Sequence, residues 1–304
     1  MKILPIAFDS LGTRSMACFV ESEGIKVMID PGAALAPSRY GLKPHSIELN
    51  KLEKDWSNIV DFSLKSEVII ITHYHYDHHN PWRNLEIYKN KILLVKNPVE
   101  NINFSQKQRA SFFLKKIENF PKLLEYCDGK NFEFGNTKIK FSEPVFHGTN
   151  QKLGWVVEVL IEDSTGKFIY TSDVEGIVVK DQLDFILKNK PDFLILDGPM
   201  TYMLGYGYSE ENLRDSIENI IKVMEKTEVK TIIIDHHLMR DLKYREKIYS
   251  LLKFGEEKKI KIISAAEFLN KPIEMLEARR KELYEKYHNF ELRNNVKICE
   301  FNED

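Results

Sequence analysis

Long apolar runs and paired cysteines are missing from this sequence of 304 residues. No apolar stretch approaches the ~20 residues that a helix needs to cross a membrane, and the first residues, interrupted early by Pro5, are too short for a signal peptide. The three cysteines (Cys18, Cys127 and Cys299) form no Cys-x-x-Cys pair, which argues against a disulfide framework or a structural zinc knuckle. We therefore expect a cytoplasmic protein with reduced thiols and no membrane association.

A strong excess of positive charge is also missing. The formal net charge is −2, and no segment is basic enough to resemble a nucleic-acid-binding domain. The hydrophobic content of 43% allows one large α/β core. A small-molecule substrate is favoured over nucleic acid, and the sequence does not indicate an oligomeric state.

Histidine, by contrast, is concentrated in a few places. Seven of the nine histidines fall in three short clusters, each entering or leaving an apolar run: His73, His75, His78, His79, His147, His236 and His237. A lone histidine is usually a plain core or surface residue, which is our interpretation of His45 and His288. Grouped titratable residues at strand ends instead indicate a functional site.

The spacing of the first cluster predicts metal binding. It directly follows the apolar run 68–71, and in an extended segment residues i and i+2 point the same way. His73, His75 and Asp77 therefore share one face, and His78 turns back from the loop beyond. This arrangement is compatible with two neighbouring cations. Imidazole and carboxylate ligands suit zinc first, with manganese, iron or cobalt as alternatives.

Three later apolar runs are also followed by single residues of ligand type, namely His147, Asp173 and His236. The order His-x-His-x-Asp-His, then a lone His, then Ser-Asp after a strand, then a late His, resembles the metallo-β-lactamase superfamily of metal-dependent hydrolases. The resemblance runs from about Leu11 to about His237. The chain is most similar to an archaeal, cytoplasmic branch of that superfamily.

The resemblance implies a binuclear centre with a definite ligand set. The first ion would be bound by His73, His75 and His147, the second by Asp77, His78 and His236, and Asp173 would bridge the two. Asp30 matches an early aspartate of the superfamily that orients the histidines, and His79 is an additional neighbour in that supporting shell. The strand end favours His236 as the late ligand, whereas a shift of one residue would select His237.

The predicted elements indicate an α/β (α+β) fold of the αββα type, in which two sheets pack face to face with helices outside. Strands are predicted near 3–8, 16–21, 25–30, 67–72, 92–95, 131–135, 138–142, 154–161, 167–172, 192–197, 231–235 and 260–263. Helices are predicted at about 46–61, 105–126, 180–189, 209–226, 242–254 and 272–288. We expect one metallo-β-lactamase-like domain over 1–304, with a helical insertion at about 98–130 and a C-terminal helical appendage at about 265–304.

Two segments are candidates for shaping the substrate pocket. The loop after 192–197 carries Tyr202, Tyr206 and Tyr208, whose rings and hydroxyls could line a pocket. Arg240 could steady a leaving group or form an ordinary surface ion pair. The basic helix 105–126 fits a solvated amphipathic helix better than a lid or substrate clamp.

Hydrolysis is the predicted reaction, with metal-activated water as nucleophile and Asp77 or Asp173 as proton acceptor. A phosphodiester or another small ester-type bond is the favoured substrate. The alternatives are an iron-dependent redox enzyme and an RNA-processing nuclease. Superfamily members with the redox role typically have glutamate where this chain has His75, and the segment between Asp173 and His236 is too short for the inserted domain of the β-CASP nucleases.

Overall fold

The computed structural model describes residues 1–288, so Cys299 and the part of the predicted C-terminal appendage from 289 to 304 lie outside the described residues. Within 1–288 the chain forms two large mixed β-sheets, each covered by helices on one face. No helix of this part of the chain is both long enough and apolar enough to span a membrane.

The first sheet has six strands in the order β1-β2-β3-β4-β5-β6. The first three strands run antiparallel, and β3 to β6 run parallel. Their bounds are β1 Lys2–Phe8, β2 Met16–Ser22, β3 Ile25–Ile29, β4 Val68–Ile71, β5 Ile92–Val95 and β6 Leu123–Tyr126.

The second sheet has seven strands in the order β15-β14-β13-β12-β11-β8-β7, and the separate strands β9 and β10 pair with each other. The strands β7, β8, β11 and β12 are antiparallel neighbours, whereas β12 to β15 run parallel. Their bounds are β7 Asn131–Phe134, β8 Thr137–Phe141, β9 Val145–Phe146, β10 Trp155–Val156, β11 Val159–Asp163, β12 Gly166–Tyr170, β13 Phe193–Asp197, β14 Thr231–Asp235 and β15 Lys261–Ile263.

The alternation of side chains along the strands builds the layers. In β4, all four residues are buried, but Ile70 packs in the core between the sheets and Ile69 packs toward the outer helices. The core between the sheets joins residues such as Ile29 of the first sheet to Phe168 and Ile233 of the second. Strands buried on both faces explain why these runs are apolar at nearly every position.

Helices form the two outer layers. Trp56 and Ile59 of α1 and Phe113 of α2 pack on the first sheet, while α3, α4 and α6 pack on the second. The four layers confirm the predicted αββα sandwich. The helix bounds are α1 Ser46–Lys65, α2 Phe104–Lys116, α3 Lys180–Asn189, α4 Glu210–Lys226, α5 Tyr244–Lys247, α6 Tyr249–Lys258, α7 Ala265–Phe268 and α8 Arg280–Lys286.

The helix predicted over 105–126 was wrong in its second half. Helix α2 ends at Lys116, and 123–126 forms β6, the edge strand of the first sheet. Pro121 gives the physical reason, because proline disfavours helical backbone in the residue before it and cannot donate a helical hydrogen bond. The segment 98–130 thus contains a helix and a strand that belongs to the main sheet.

Two other element predictions also need correction. The run 154–161 is divided into two strands, β10 and β11, which belong to different sheets. Val157, in the break between them, donates its N–H to the carbonyl of Thr72 (3.2 Å). The predicted helix 272–288 is helical only over α8. In the segment before α8, Met275 has a left-handed φ of 45°, which interrupts a regular helix.

Candidate metal centre

The carboxyl ends of the parallel strands of both sheets meet at one edge of the sandwich. The first histidine cluster follows β4, Asp173 follows β12, and His236 follows β14. Three residues just after strands have left-handed backbone: Asp30 (φ 49°), Ser172 (58°) and His236 (57°). Non-glycine residues in this conformation cost energy and tend to cluster at functional sites.

Asp173 lies at the centre of the cluster. Its Oδ1 is 3.0 Å from Nε2 of His78, and its Oδ2 is 3.2 Å from Nε2 of His147, 3.4 Å from Nε2 of His236 and 3.6 Å from Nε2 of His73. All five residues are buried. One carboxylate therefore faces imidazoles that come from three separate parts of the chain.

The ligand-type atoms form two groups that share this carboxylate. Within each group the atoms lie within 4.8 Å of one another. The groups are His73, His75, His147 and Asp173, and Asp77, His78, Asp173 and His236. The structure thus brings together all seven residues of the predicted ligand set, in the two subsets that the resemblance implied.

Unpartnered buried atoms test whether a metal fits. Nε2 of His73, Nε2 of His78 and Oδ1 of Asp173 are buried and make no hydrogen bond among the described residues, although the last two atoms lie 3.0 Å apart. Buried polar atoms are nearly always satisfied, so these three need an explanation. Nitrogen and carboxylate donors at this spacing fit divalent metal ions, and we conclude that the cluster is a metal-binding His/Asp group.

Carboxylates behind the cluster fix the orientation of the imidazoles. Nδ1 of His78 lies 2.8 Å from Asp30, which also accepts hydrogen bonds from the N–H and hydroxyl of Thr72 and from the hydroxyl of Tyr170. Because an ionised carboxylate only accepts, Nδ1 of His78 carries the proton and Nε2 stays available. Asp30 therefore lies where it can orient the imidazole of His78.

Two further acids lie beside imidazoles of the cluster, and sequence reasoning missed both. Asp9 lies 2.7 Å from Nδ1 of His236, and Glu175 lies 3.5 Å from Nδ1 of His147. Asp9 directly follows β1, so its position at a strand end was the available signal. Glu175 follows Asp173 by two residues, and its own left-handed φ of 50° turns it toward His147.

Burial and the acids shift the pKa values in opposite directions. Burial lowers the pKa of His78, but the carboxylates of Asp173 and Asp30 outweigh it and raise that pKa to about 10. Burial also lowers the pKa of His147, but the carboxylates of Asp173 and Glu175 outweigh burial and raise that pKa to about 10. Burial raises the pKa of Asp173, but the surrounding imidazoles hold it well below its usual range. Protons and metal ions therefore compete for the same imidazoles.

The two late histidines have different surroundings. Nε2 of His236 lies 3.4 Å from Asp173 and 3.7 Å from Asp77, inside the second group. Nδ1 of His237 lies 3.0 Å from both carboxylate oxygens of Asp197, and His237 lines the pocket in front of the cluster. His237 also belongs to a further ligand-type group, with Asp173 and Asp197.

A glycine explains how the first cluster packs against β3. A Cβ on Gly32 would lie 2.3 Å from the backbone nitrogen of His79 and 2.4 Å from the carbonyl carbon of His78. The Pro31-Gly32 turn therefore lets the backbone of residues 73–79, the metal loop, lie against the chain that follows β3. Nδ1 of His79 lies 2.9 Å from the carbonyl oxygen of His75, and its ring packs edge-on to Phe113, so His79 supports the loop.

A pocket of about 140 Å³ opens in front of the metal cluster. Its lining residues are His75, Asp77, Asn103, Ser105, Arg109, His147, Lys152, Leu153, Asp173, Glu175, Met200, Tyr202, His237 and Arg240. Of the three predicted pocket tyrosines, only Tyr202 is among them. Tyr206 is 91% exposed, and Tyr208 is buried with its hydroxyl donating to the carbonyl of Glu175. The placement of Tyr206 and Tyr208 in the pocket wall was wrong.

Arg240 is buried at the metal centre, so its interpretation as a surface ion pair was wrong. Its Nε donates to Asp9 (2.9 Å), and its Nη2 lies 3.2 Å from Nε2 of His236 and 3.7 Å from Asp77. Asp9 thus holds both the imidazole and the guanidinium. A permanent positive charge lies next to the second ligand group.

The fold and the cluster define the class of protein. Yeast PDE1 superposes with a TM-score of 0.52 at 14% identity, over 86% of this chain and 96% of that chain. A possible metal-dependent hydrolase from Veillonella parvula superposes with a TM-score of 0.50 at 17% identity, over 86% and 94%. CmlA, a diiron β-hydroxylase from Streptomyces venezuelae, gives 0.50 at 10% identity, over 84% and 51%. The chain has the metallo-β-lactamase fold, and its buried His/Asp groups lie at one edge of that fold.

Sequence comparison gives the family. No protein-family model matches the chain. The UPF0282 protein of Korarchaeum cryptofilum is 54% identical over 287 residues, 94% of this chain and 95% of that protein. The UPF0282 protein of Methanocaldococcus jannaschii is 44% identical over 293 residues, 93% and 96% of the two chains. The chain belongs to the UPF0282 family, and both of these relatives are archaeal.

Proposed function

We propose that this protein is a hydrolase that uses two divalent metal ions and water to cleave a phosphodiester or another small ester-type bond. The position of Asp173 carries the proposal, because one buried carboxylate lies within 3.0 to 3.6 Å of imidazoles from both ligand groups. That is the position from which one residue would bind two ions.

The first ion would be bound by His73, His75, His147 and Asp173, and the second by Asp77, His78, His236 and Asp173. Zinc is the metal that this mixture of imidazole and carboxylate favours, with manganese, iron and cobalt as alternatives. When bound, the ions would supply a water-derived nucleophile near neutral pH and offset the negative charge that develops on the substrate.

The chain's own residues have distinct tasks in this proposal. Asp30 and Asp9 hold the Nδ1 protons of His78 and His236, so that each Nε2 faces the centre, and Glu175 lies 3.5 Å from Nδ1 of His147. Asp77 faces both the ligand group and the pocket, and its carboxylate accepts the proton released by water. Asp173 is the candidate bridge. Burial of the centre strengthens each of these charge interactions.

Support for a small substrate comes from the pocket and the charge. A pocket of about 140 Å³ holds a compact molecule, and the net charge of −2 does not favour a polyanionic nucleic acid. The buried thiols of Cys18 and Cys127 suit a reducing compartment, and we propose a cytoplasmic location.

The test combines metal analysis of natively purified protein with a substrate screen. The screen uses bis(p-nitrophenyl) phosphate, a p-nitrophenyl carboxylic ester, a lactone and a thioester, each with the wild type and with Asp173→Asn. We expect two metal ions per chain and turnover of at least one substrate that the variant lacks. Iron with an optical absorption band and no hydrolysis would support the redox alternative. Cleavage of RNA but of none of the small esters would support the nuclease alternative.

A further inference from the structure

We propose that the substrate carries an oxyanion group away from the scissile bond and that Arg109 and Lys152 bind this group in the outer wall of the pocket. The inference rests on the proposed hydrolase function, since it concerns the substrate of the same site. It begins with the distribution of charge in the pocket, where the acids are buried and two of the three Arg and Lys side chains, Arg109 and Lys152, are not.

The acids line the deep part of the pocket. Asp77, Asp173 and Glu175 are buried and belong to the metal cluster or support it. Arg109 is half-buried and Lys152 is exposed, and both line the same pocket. Bound cations would offset the negative charge of the deep part, whereas the outer wall is positive in its own right. A substrate with a second negative charge therefore matches the wall.

The two outer cations have no acidic partner among residues 1–288. The third base of the pocket, Arg240, is committed to Asp9 through a 2.9 Å ion pair. The Arg109 guanidinium packs over the ring of Tyr76, and neither it nor the ammonium of Lys152 forms an ion pair in this part of the chain. Their charges remain available to a ligand.

Arg109 is held in a fixed orientation. Its guanidinium lies over the ring of Tyr76, 4.8 Å from the centroid, and that ring packs against Trp82 with a centroid separation of 4.5 Å. Tyr76 lies between the metal-binding residues His75 and Asp77. Stacking leaves the edge of a guanidinium free for hydrogen bonds to an oxyanion, and it reduces the entropy lost on binding. The stack also positions Arg109 relative to the metal cluster.

The loop that carries Lys152 is hydrogen-bonded to the start of α2, the helix that carries Arg109. Asn103 donates to the carbonyl of Lys152 (3.0 Å), and Nε2 of Gln106 donates to the carbonyl of Leu153 (2.7 Å). Oε1 of the same Gln106 accepts the N–H of Tyr74 in the metal loop (3.3 Å). These bonds connect α2, the Lys152 loop and the metal loop.

A glycine permits the contact between the Lys152 loop and α2. A Cβ on Gly154 would lie 2.7 Å from Nε2 of Gln106, so glycine lets the loop lie close to α2.

The solvated role predicted for the basic helix fits some of its residues only. Lys107 and Lys115 are exposed and absent from the pocket lining, whereas Arg109 lines the pocket.

The experiment measures binding, so that it does not depend on turnover. Zinc-reconstituted protein is titrated calorimetrically at low ionic strength with butyrate, glutarate and 4-phosphonobutyrate. The three probes share a carboxylate head that can bind the metals and differ in the tail, which is uncharged, a carboxylate or a phosphonate. We expect at least one charged tail to tighten binding by about tenfold over butyrate.

Matched variants decide where the tail binds. Arg109→Gln combined with Lys152→Gln should reduce the preference to within about twofold, since both contacts are removed. Lys107→Gln combined with Lys115→Gln removes the same charge and should keep the preference. A preference for glutarate identifies a carboxylate, and a preference for 4-phosphonobutyrate identifies a phosphate-like group.

The proposal is overturned if the wild type binds all three probes equally, or if the Arg109/Lys152 variant keeps the preference. A protein that shows the preference but hydrolyses no ester would refute the proposed hydrolase function and leave the anion site intact. A protein that hydrolyses esters without any tail preference would refute the anion site and leave the proposed hydrolase function intact.

Discussion

Replacing Asp173 by asparagine is the sharpest test of the metal centre. The change keeps the shape of the side chain but removes the negative charge that faces four imidazoles at 3.0 to 3.6 Å. At such distances and an effective dielectric of about 20, a unit charge interacts with another by about 5 kcal/mol. Part of that interaction is present in both the ground state and the transition state, and only the difference affects the rate.

We expect turnover to fall by about 100-fold or more, because single charge-stabilising groups in active sites contribute about 10²- to 10³-fold. A 100-fold loss corresponds to about 2.7 kcal/mol of transition-state stabilisation. The assay is kcat at saturating metal on the best substrate of the ester screen, with metal content measured on the same samples. Folding should be retained, as judged by circular dichroism, since the imidazoles can release their protons once the carboxylate is gone.

The matched control is Asp30→Asn, which alters an orienting carboxylate of the same cluster. This variant should lose metal affinity by about 10- to 100-fold, because such outer partners act through the ligand that they orient. Its turnover should recover in excess metal, unlike that of Asp173→Asn. A rate for Asp173→Asn within a few-fold of wild type at full occupancy would show that Asp173 does not bridge two ions and would refute our assignment of the centre.

The remaining predictions concern metal content, packing and pH. His236→Ala should lose one of two metal ions and His237→Ala should keep both, as measured by mass spectrometry after zinc reconstitution; equal retention by both variants would contradict the assignment. Gly32→Ala should lower both the melting temperature and metal affinity, since its Cβ would collide with the backbone of the metal loop; an unchanged melting curve would argue against that packing. Because the pKa values of His78 and His147 are raised to about 10, metal binding near neutral pH should release protons, and affinity in a chelator competition should fall as the pH is lowered. The same two shifts stabilise the metal-free protein below the unfolded-state pKa of about 6.5, and this stabilisation is lost as the pH rises toward about 10.

The sequence by itself determined the fold class and the main members of the metal cluster. Apolar runs of strand length are followed closely by histidine or aspartate. Such a pattern predicts both a buried strand and a ligand-type residue at its carboxyl end. Alternation predicted that His73, His75 and Asp77 share one face. His73 and His75 do belong to one ligand group, but the chain turns over 76–78 and Asp77 belongs to the other group. These are local signals, and local signals can be read along one chain.

Local signals also failed where a single residue redirected the chain. The apolar pattern of 105–126 continues past Lys116, but the helix ends there and Pro121 prevents it from resuming. Residues 123–126 instead pair with β5. Whether a short apolar run becomes a helix or an edge strand depends on a neighbouring strand with free backbone groups, which is a tertiary fact.

Only the tertiary structure decided which acids support which imidazoles. Asp9 contacts His236 across 227 positions of sequence, and Asp197 contacts His237 across 40. Neither pairing follows from periodicity, because it depends on how two sheets stack and where their strands end. The same holds for Arg109. The sequence shows only a basic residue on a helix, whereas the structure shows that its guanidinium lies over the ring of Tyr76, beside the metal-binding residues. Residue type and spacing determine what can bind a metal, whereas packing between distant strands determines what orients the ligands and what faces the substrate.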